Sequence, residues 1–239
     1  MRAVRHYRRV EWTVLVPIKL LAVAKTRLRG AVGEERHESL VLAMAQDTVA
    51  AALAAPGTAE VVVVTADAAV AAAVAALGAR RVPEPLRGGL NAALTHAASV
   101  VGALPPGRRI DALPADLPAL RPDELAAALT TLGASRDGGY VPDFAGTGTV
   151  LLAAPVGGVL APRFGPGSAA AHARAGAPRV AGDWPTLRHD VDTADDLAAA
   201  VRLGLGPRTA ALLGNAEWGR AVPAHTGTEW PGPECRALR

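Results

Sequence analysis

EVVVVTA, residues 60–66, is a continuous β-branched run with no polar alternation. A strand with one wet face alternates apolar and polar side chains. A strand covered on both faces does not, and such runs sit in the middle of parallel sheets flanked by helices. Upstream, WTVLVPI at residues 12–18 reads as a second buried strand. Between the two, residues 34–55 keep helical character, with Leu40, Met44, Val49 and Leu53 on an apolar stripe and Pro56-Gly57 as the stop.

Downstream of the run, Asp67 is placed to cap an alanine-rich helix that ends at Gly78, and residues 79–82 read as a short strand. Residues 83–89 form a loop and 90–102 a helix. Residues 109–113 form a strand that stops at Pro114 and delivers Asp116 just beyond its end. Pro122 opens a further helix, with Asp123 and Glu124 in the first turn where the helix dipole favours acids. Residues 139–143 and 149–154 read as paired strands around a glycine-rich turn. A short helix at 168–174, a short strand at 179–181 and a helix at 193–204 follow. Past Gly206 the periodicity fades.

This alternation predicts a three-layer α/β/α architecture with a mostly parallel, Rossmann-like sheet, whose ligand crevice lies beyond the carboxyl ends of the strands. The expected organisation is one α/β domain at residues 11–213, between a basic leader at 1–10 and a Gly/Pro/Trp-containing tail at 214–239. Trp218 and Trp230 in that tail are candidates to anchor it.

Composition narrows the function. With 50% hydrophobic residues, the 239-residue chain can bury a full core, yet aromatics are only 3%, too few for base-stacking surfaces. Four arginines and no acids fall in residues 1–10, so of the net +3 the rest of the chain carries −1. A near-neutral body argues against nucleic-acid binding. The single cysteine, Cys235, excludes a disulfide framework and any cysteine-based zinc cluster. The apolar runs are short or broken by charges, so no membrane span is indicated, and residues 1–10 lack the apolar core of a secretory signal; a cytoplasmic location is the expectation. Oligomeric state is not legible, and a homodimer is compatible with the sequence.

The chain has two lysines, Lys19 and Lys25, and both lie in the loop after the first strand, PIKLLAVAKTRLRG, together with Arg27 and Arg29. Cations at that position can converge on phosphates in the crevice. The loop has no G-x-x-x-x-G-K-[ST] pattern, and no G-x-G-x-x-G follows the first strand, which disfavours a P-loop ATPase and a classical dinucleotide fold. Asp116 in LPADLPAL is held between prolines. Asp190 and Asp192 in RHDVDTADDL precede a helix that Thr193 and Asp196 can start as a capping box. Carboxylates from separate strand ends can hold one Mg²⁺ against triphosphate oxygens.

PIKLLAVAKTRL, LPADLPAL, GTGTVLL, PRFGPGSAAAHARAG and DVDTADDL, in this order across residues 12–210, resemble the CofC/FbiD family of guanylyltransferases of coenzyme F420 biosynthesis. That family belongs to the fold class of MobA-like and nucleotide-diphospho-sugar transferases. The resemblance implies transfer of GMP from GTP to a small phosphorylated three-carbon acid, releasing pyrophosphate. The acid is phosphoenolpyruvate, 2-phospho-L-lactate or 3-phospho-D-glycerate, with phosphoenolpyruvate the usual assignment for alanine- and arginine-rich members. It further implies Asp116, Asp190 and Asp192 as Mg²⁺ ligands, Lys19 and Lys25 on the nucleotide phosphates, where the loop's own charge adds Arg27, and Thr149, Gly165 and Ser168 on the acid. Lys19, Lys25 and Asp116 are then the catalytic set. The product is consumed by the next transferase of the pathway, an implied functional partner.

Two departures stand out. Ala115 replaces the glycine usual before the metal carboxylate, and an alanine fits only if the backbone avoids positive φ. The strand RRIDAL is also poor in apolar residues for a central position. Among the histidines, His37 is expected on a charged helix surface, His172 near the acid site, and His189 beside the metal acids without ligating. Two rival readings stay open: a nucleotidyltransferase with a larger acceptor, such as a molybdopterin or sugar phosphate, and a non-catalytic nucleotide-binding scaffold.

Overall fold

A computed structural model describes residues 10–28, 32, 34–85, 87–105 and 107–214. Arg29, Cys235, Trp218, Trp230, and most of the leader and tail lie outside the described residues. The strands are β1 (Glu11–Pro17), β2 (Thr58–Thr65), β3 (Arg80–Pro83), β4 (Arg108–Ala112), β5 (Gly139–Pro142) and β6 (Thr149–Ala153). They form one sheet in the order β3-β2-β1-β4-β6-β5. The pairs β3-β2, β2-β1 and β1-β4 are parallel, while β6 runs antiparallel to β4 and β5. The sheet is thus mostly parallel, as the uninterrupted valines required, and the hairpin of residues 139–154 supplies its antiparallel edge.

The helices are α1 (Glu34–Ala54), α2 (Ala68–Ala76), α3 (Gly89–Val101), α4 (Pro122–Ala134), α5 (Ser168–Arg174), α6 (Pro185–Arg188), α7 (Ala194–Leu203) and α8 (Pro207–Leu213). Alternate residues of the central strands feed two cores. Trp12, Val14, Val61 and Val63 pack with residues of α1 and α4, and Leu15, Val62 and Val64 pack against α3. Val61–Val64 are each at most 1% exposed, and burying one such side chain contributes roughly 1.5–3 kcal/mol. Caps match the sequence: the Asp67 carboxylate accepts from the Ala69 and Val70 amides at α2, and Thr193 and Asp196 complete a capping box at α7. Among the described residues no helix is long and apolar enough to cross a membrane.

Two expectations need correction. The fading pattern after Gly206 hides a helix, α8, whose start is capped from a distance: Asp47 on α1, 5% exposed, accepts the backbone N–H groups of Arg208 and Thr209. His37 is not on a charged surface but 2% exposed, with Nε2 2.8 Å from the Ala24 carbonyl, because the loop after β1 folds back over α1.

Candidate functional site

The parallel strands β1 and β4 end on the same side of the sheet, so the loops that follow them face one another. The register pairs Leu15 of β1 with Ala112 of β4, and Ala112 with Leu152 of β6. Because β6 is antiparallel, its first residue, Thr149, projects past the end of β4 by three residues, about 10 Å. Antiparallel insertion therefore brings a third element to the carboxyl ends of the parallel strands. The result is a cleft of about 700 Å³ lined by Lys19, Lys25, Arg27, Asp116, Thr149, Gly165, Ser168, Asp190 and Asp192, a volume suited to a nucleotide-sized ligand. These nine are the metal, phosphate and acid-site residues expected from the sequence, while Arg29 lies outside the described residues.

The loop after β1 is fastened at several points. Ile18 N–H donates to the Val64 carbonyl, Leu21 N–H donates to Asp67, and Leu28 is fully buried. Burial would raise the Asp67 pKa, but the amides of Leu21, Val70 and Ala69 outweigh it and hold the carboxyl below its usual range. Lys25 is the one non-glycine among the described residues in the left-handed region, at φ 50°. That conformation costs about 1–2 kcal/mol, and it aims the ammonium at both Asp116 and Asp192. Burial pulls the Lys25 pKa down, yet the two carboxylates more than offset it and leave the ammonium firmly charged. Lys19 and Arg27 are exposed on the cleft rim.

Thr48 on α1, which the sequence did not single out, clamps the loop that carries Asp116. Its Oγ1 accepts the Leu117 N–H at 3.1 Å and lies 3.2 Å from the Ala115 carbonyl. Ala115 is absent from the positive-φ residues, so the missing glycine costs nothing there. The Asp116 carbonyl accepts the Val191 N–H at 2.9 Å. That bond joins the two acidic loops, with Asp190 and Asp192 on either side of Val191. Burial pushes the Asp190 carboxyl up to about 7, with Asp116 adding repulsion and Lys25 partly opposing it.

Mg²⁺ chemistry fits these residues. Asp116 Oδ1 is buried without a hydrogen-bond partner, an oxygen suited to a cation. Among the described residues no group of three acids or histidines stands at metal-holding spacing. Mg²⁺ does not require one, since it binds through one or two carboxylates, waters and substrate phosphates.

On the opposite wall, the GTGT turn is shaped by Asp143, which accepts the amides of Thr147 and Gly148. A Cβ on Gly148 would come within 2.4 Å of the Asp143 carboxylate, so a larger residue there would push that carboxylate off the turn amides it accepts. Gly165 needs its φ of 131°. His172, expected near the acid site, is 1% exposed, with Nδ1 3.0 Å from Thr149 Oγ1. His189 is half-buried, with Nε2 3.2 Å from the Asp196 carbonyl. The expected strand at residues 179–181 is reduced to a single bridge between Arg179 and Tyr140.

The family model described as guanylyl transferase CofC-like matches residues 12–175. The chain belongs to the CofC-like guanylyltransferase family. It is 59% identical to the phosphoenolpyruvate guanylyltransferase of Salinispora arenicola, covering 86% of this chain and 94% of that protein. It is 53% identical to the enzyme of the same name from Geodermatophilus obscurus, covering 86% and 95%. Solved structures share the fold at lower identity. A nucleotidyl transferase from Methanothermobacter thermautotroptrophicus aligns with TM-score 0.56 at 20% identity, over 81% of this chain and 97% of that one. A protein of Desulfovibrio desulfuricans G20 proposed to be a nucleotide-diphospho-sugar transferase aligns with TM-score 0.63 at 21% identity, over 84% and 93%. For this family member the architecture is therefore the α/β nucleotidyltransferase fold.

Proposed function

We propose that this family member transfers GMP from GTP to phosphoenolpyruvate, forming enolpyruvyl-2-diphospho-5'-guanosine and pyrophosphate. The observation that carries the reading is the convergence of Lys25, Asp116 and Asp192 opposite Thr149, Gly165 and Ser168 in one cleft. The names of the relatives point to the same acceptor.

A phosphate oxygen of phosphoenolpyruvate attacks the α-phosphorus of GTP. The bond from that phosphorus to the bridging oxygen of the β-phosphate breaks, and the electron pair leaves with pyrophosphate. The attacking phosphate is already ionised near neutral pH, so no general base is needed and no histidine has to move a proton. Lys19, Lys25 and Arg27 offset charge on the phosphoryl oxygens. Asp116, with Asp190 or Asp192, would hold Mg²⁺, which would neutralise the triphosphate and steady the leaving group. Thr149, Gly165 and Ser168 orient the acid.

The catalytic domain in this reading is residues 11–213, working in the cytoplasm, and the diester passes to the next transferase of coenzyme F420 biosynthesis. The test is pyrophosphate release with Mg²⁺ and GTP against phosphoenolpyruvate, 2-phospho-L-lactate and 3-phospho-D-glycerate, each with an ATP control. Release that depends on phosphoenolpyruvate and GTP supports the reading. Preference for another acid reassigns the acceptor, and silence from folded protein favours a larger acceptor or a scaffold.

A further inference from the structure

The histidine behind the acid-binding wall is fully bonded, and its bonds fix its tautomer. His172 on α5 is 1% exposed, with the Phe164 ring edge-on at 5.4 Å and the Tyr140 ring at 5.8 Å. Its Nε2 lies 2.9 Å from the backbone nitrogen of Arg163. A backbone N–H only donates, so Nε2 is the acceptor and carries no proton. The neutral imidazole therefore keeps its proton on Nδ1, 3.0 Å from Thr149 Oγ1. Burial, with the Arg163 guanidinium adding to it, lowers the His172 pKa to about 4, so this neutral form persists through the physiological range.

The consequence falls on Thr149. A threonine hydroxyl can donate one hydrogen bond and accept others. The Nδ1–H of His172 occupies one of its lone pairs, so the hydroxyl proton cannot turn back toward the imidazole. Thr149 lines the cleft and is 7% exposed, which leaves the cleft as the direction for that proton. The same imidazole fastens a second stretch of that wall. Arg163 opens the segment that continues through Phe164, whose N–H and carbonyl are both bound by the Asn91 side chain, to Gly165 and Ser168.

We propose that His172 is a positioning residue for the acid acceptor: it holds the Thr149 hydroxyl as a donor pointing into the cleft, and so selects an anionic carboxylate or phosphate oxygen there. This rests on the reading of Thr149 as part of the acid site. A hydroxyl whose proton is directed into the site offers an oxyanion a hydrogen bond without first having to reorient, which is how one hydroxyl favours one class of ligand.

Two conservative variants separate the two bonds. His172→Asn retains an N–H donor where Nδ1 stands, and His172→Gln retains an acceptor nearer Nε2. With GTP, Mg²⁺ and phosphoenolpyruvate, His172→Gln is expected to raise the KM for the acid about tenfold and leave the KM for GTP unchanged. His172→Asn is expected to restore most of the loss, and Thr149→Val/His172→Gln to be no worse than Thr149→Val alone. Equal damage to both KM values, equal damage in Asn and Gln, or additive effects in the double variant would overturn the inference. The wild-type protein gives a test free of folding artefacts. The ¹⁵N chemical shifts of His172, measured without substrate, are expected to show the Nδ1–H tautomer from about pH 5 to pH 8, and an Nε2–H tautomer or a protonated ring at neutral pH would contradict it. Active wild type with an unmoved acid KM in His172→Gln sinks this inference alone, whereas wild type inert with every acid sinks the guanylyltransferase reading with it.

Discussion

The ammonium of Lys25 touches the carboxylate of Asp116, 91 residues further along the chain, and through Asp192 it also reaches the loop before α7. Three loops that follow three different elements are thereby joined at one cation. Asp116 and Lys25 are each less than a fifth exposed at the side chain, so the contact is shielded from bulk water.

Asp116→Asn keeps the shape of the loop and removes the charge. The clamp from Thr48 and the Val191 amide to the Asp116 carbonyl are both backbone contacts and survive the change. Turnover is expected to fall by about 10²–10³, while denaturant unfolding shifts by less than about 2 kcal/mol. A folded variant with full activity would refute the metal assignment.

Lys25→Ala should separate charge from strain. The ammonium competes with a divalent ion for the oxygens of Asp116 and Asp192, so its removal is expected to tighten Mg²⁺ binding to the free protein, read by calorimetry, by about tenfold, or about 1.4 kcal/mol. Turnover should nevertheless fall, because the phosphates lose a cation. Weaker Mg²⁺ binding would mean that Lys25 supports the acids and does not compete with the ion.

Asp111 is a cost the fold carries. It sits fully buried in β4, opposite Val14, with both carboxylate oxygens lacking a hydrogen-bond partner. Burial raises its pKa well above the usual range, with the Arg109 guanidinium opposing. A raised carboxyl pKa stabilises the fold relative to the unfolded chain only at low pH, and that benefit disappears as pH climbs from about 4 toward the folded value. Asp111→Val is therefore expected to stabilise the protein by about 1–3 kcal/mol at pH 8, with a smaller gain at pH 5. Chemical denaturation at the two pH values checks it, and a loss of stability at pH 8 would contradict it.

His172 gives the opposite slope. Its pKa falls from 6.5 to about 4 in the fold, so the unfolded chain binds a proton that the native state refuses. Its contribution is present above about pH 6.5 and is lost as pH drops toward 4, by up to roughly 3 kcal/mol in total. His172→Asn, which does not titrate, is expected to flatten that part of the stability profile between pH 7 and pH 4.5. An unchanged slope would show that His172 is charged in the native protein.

The parallel sheet was legible because each central strand is buried on both faces, and unbroken valine runs satisfy no other environment. The caps at Asp67 and Thr193 were legible because their partners lie within three residues. α8 was not, since its cap, Asp47, lies about 160 residues upstream. The apolar deficit of β4 was visible in RRIDAL, but its resolution was not. Arg109 lies over the Trp12 ring at 4.8 Å and donates to the carbonyls of Leu132, Ser135 and Ala154, which lets a charged residue occupy a core strand. In the site, Lys19, Lys25 and Asp116 stood out by residue type beside strand ends, and Asp190 and Asp192 by their place before a capped helix. Thr48 did not, because it acts through a backbone amide and carbonyl, and for His172 only the place near the acid site was legible, not its bond to the Thr149 hydroxyl.

The most direct measurement is the fate of GTP labelled at its α-phosphorus, incubated with the protein, Mg²⁺ and phosphoenolpyruvate. The label is expected to enter a new acid-containing diester while unlabelled pyrophosphate accumulates in equal amount, with no such transfer from ATP. Label that stays in GTP in the presence of folded protein, or a diester that forms equally well without phosphoenolpyruvate, would contradict it.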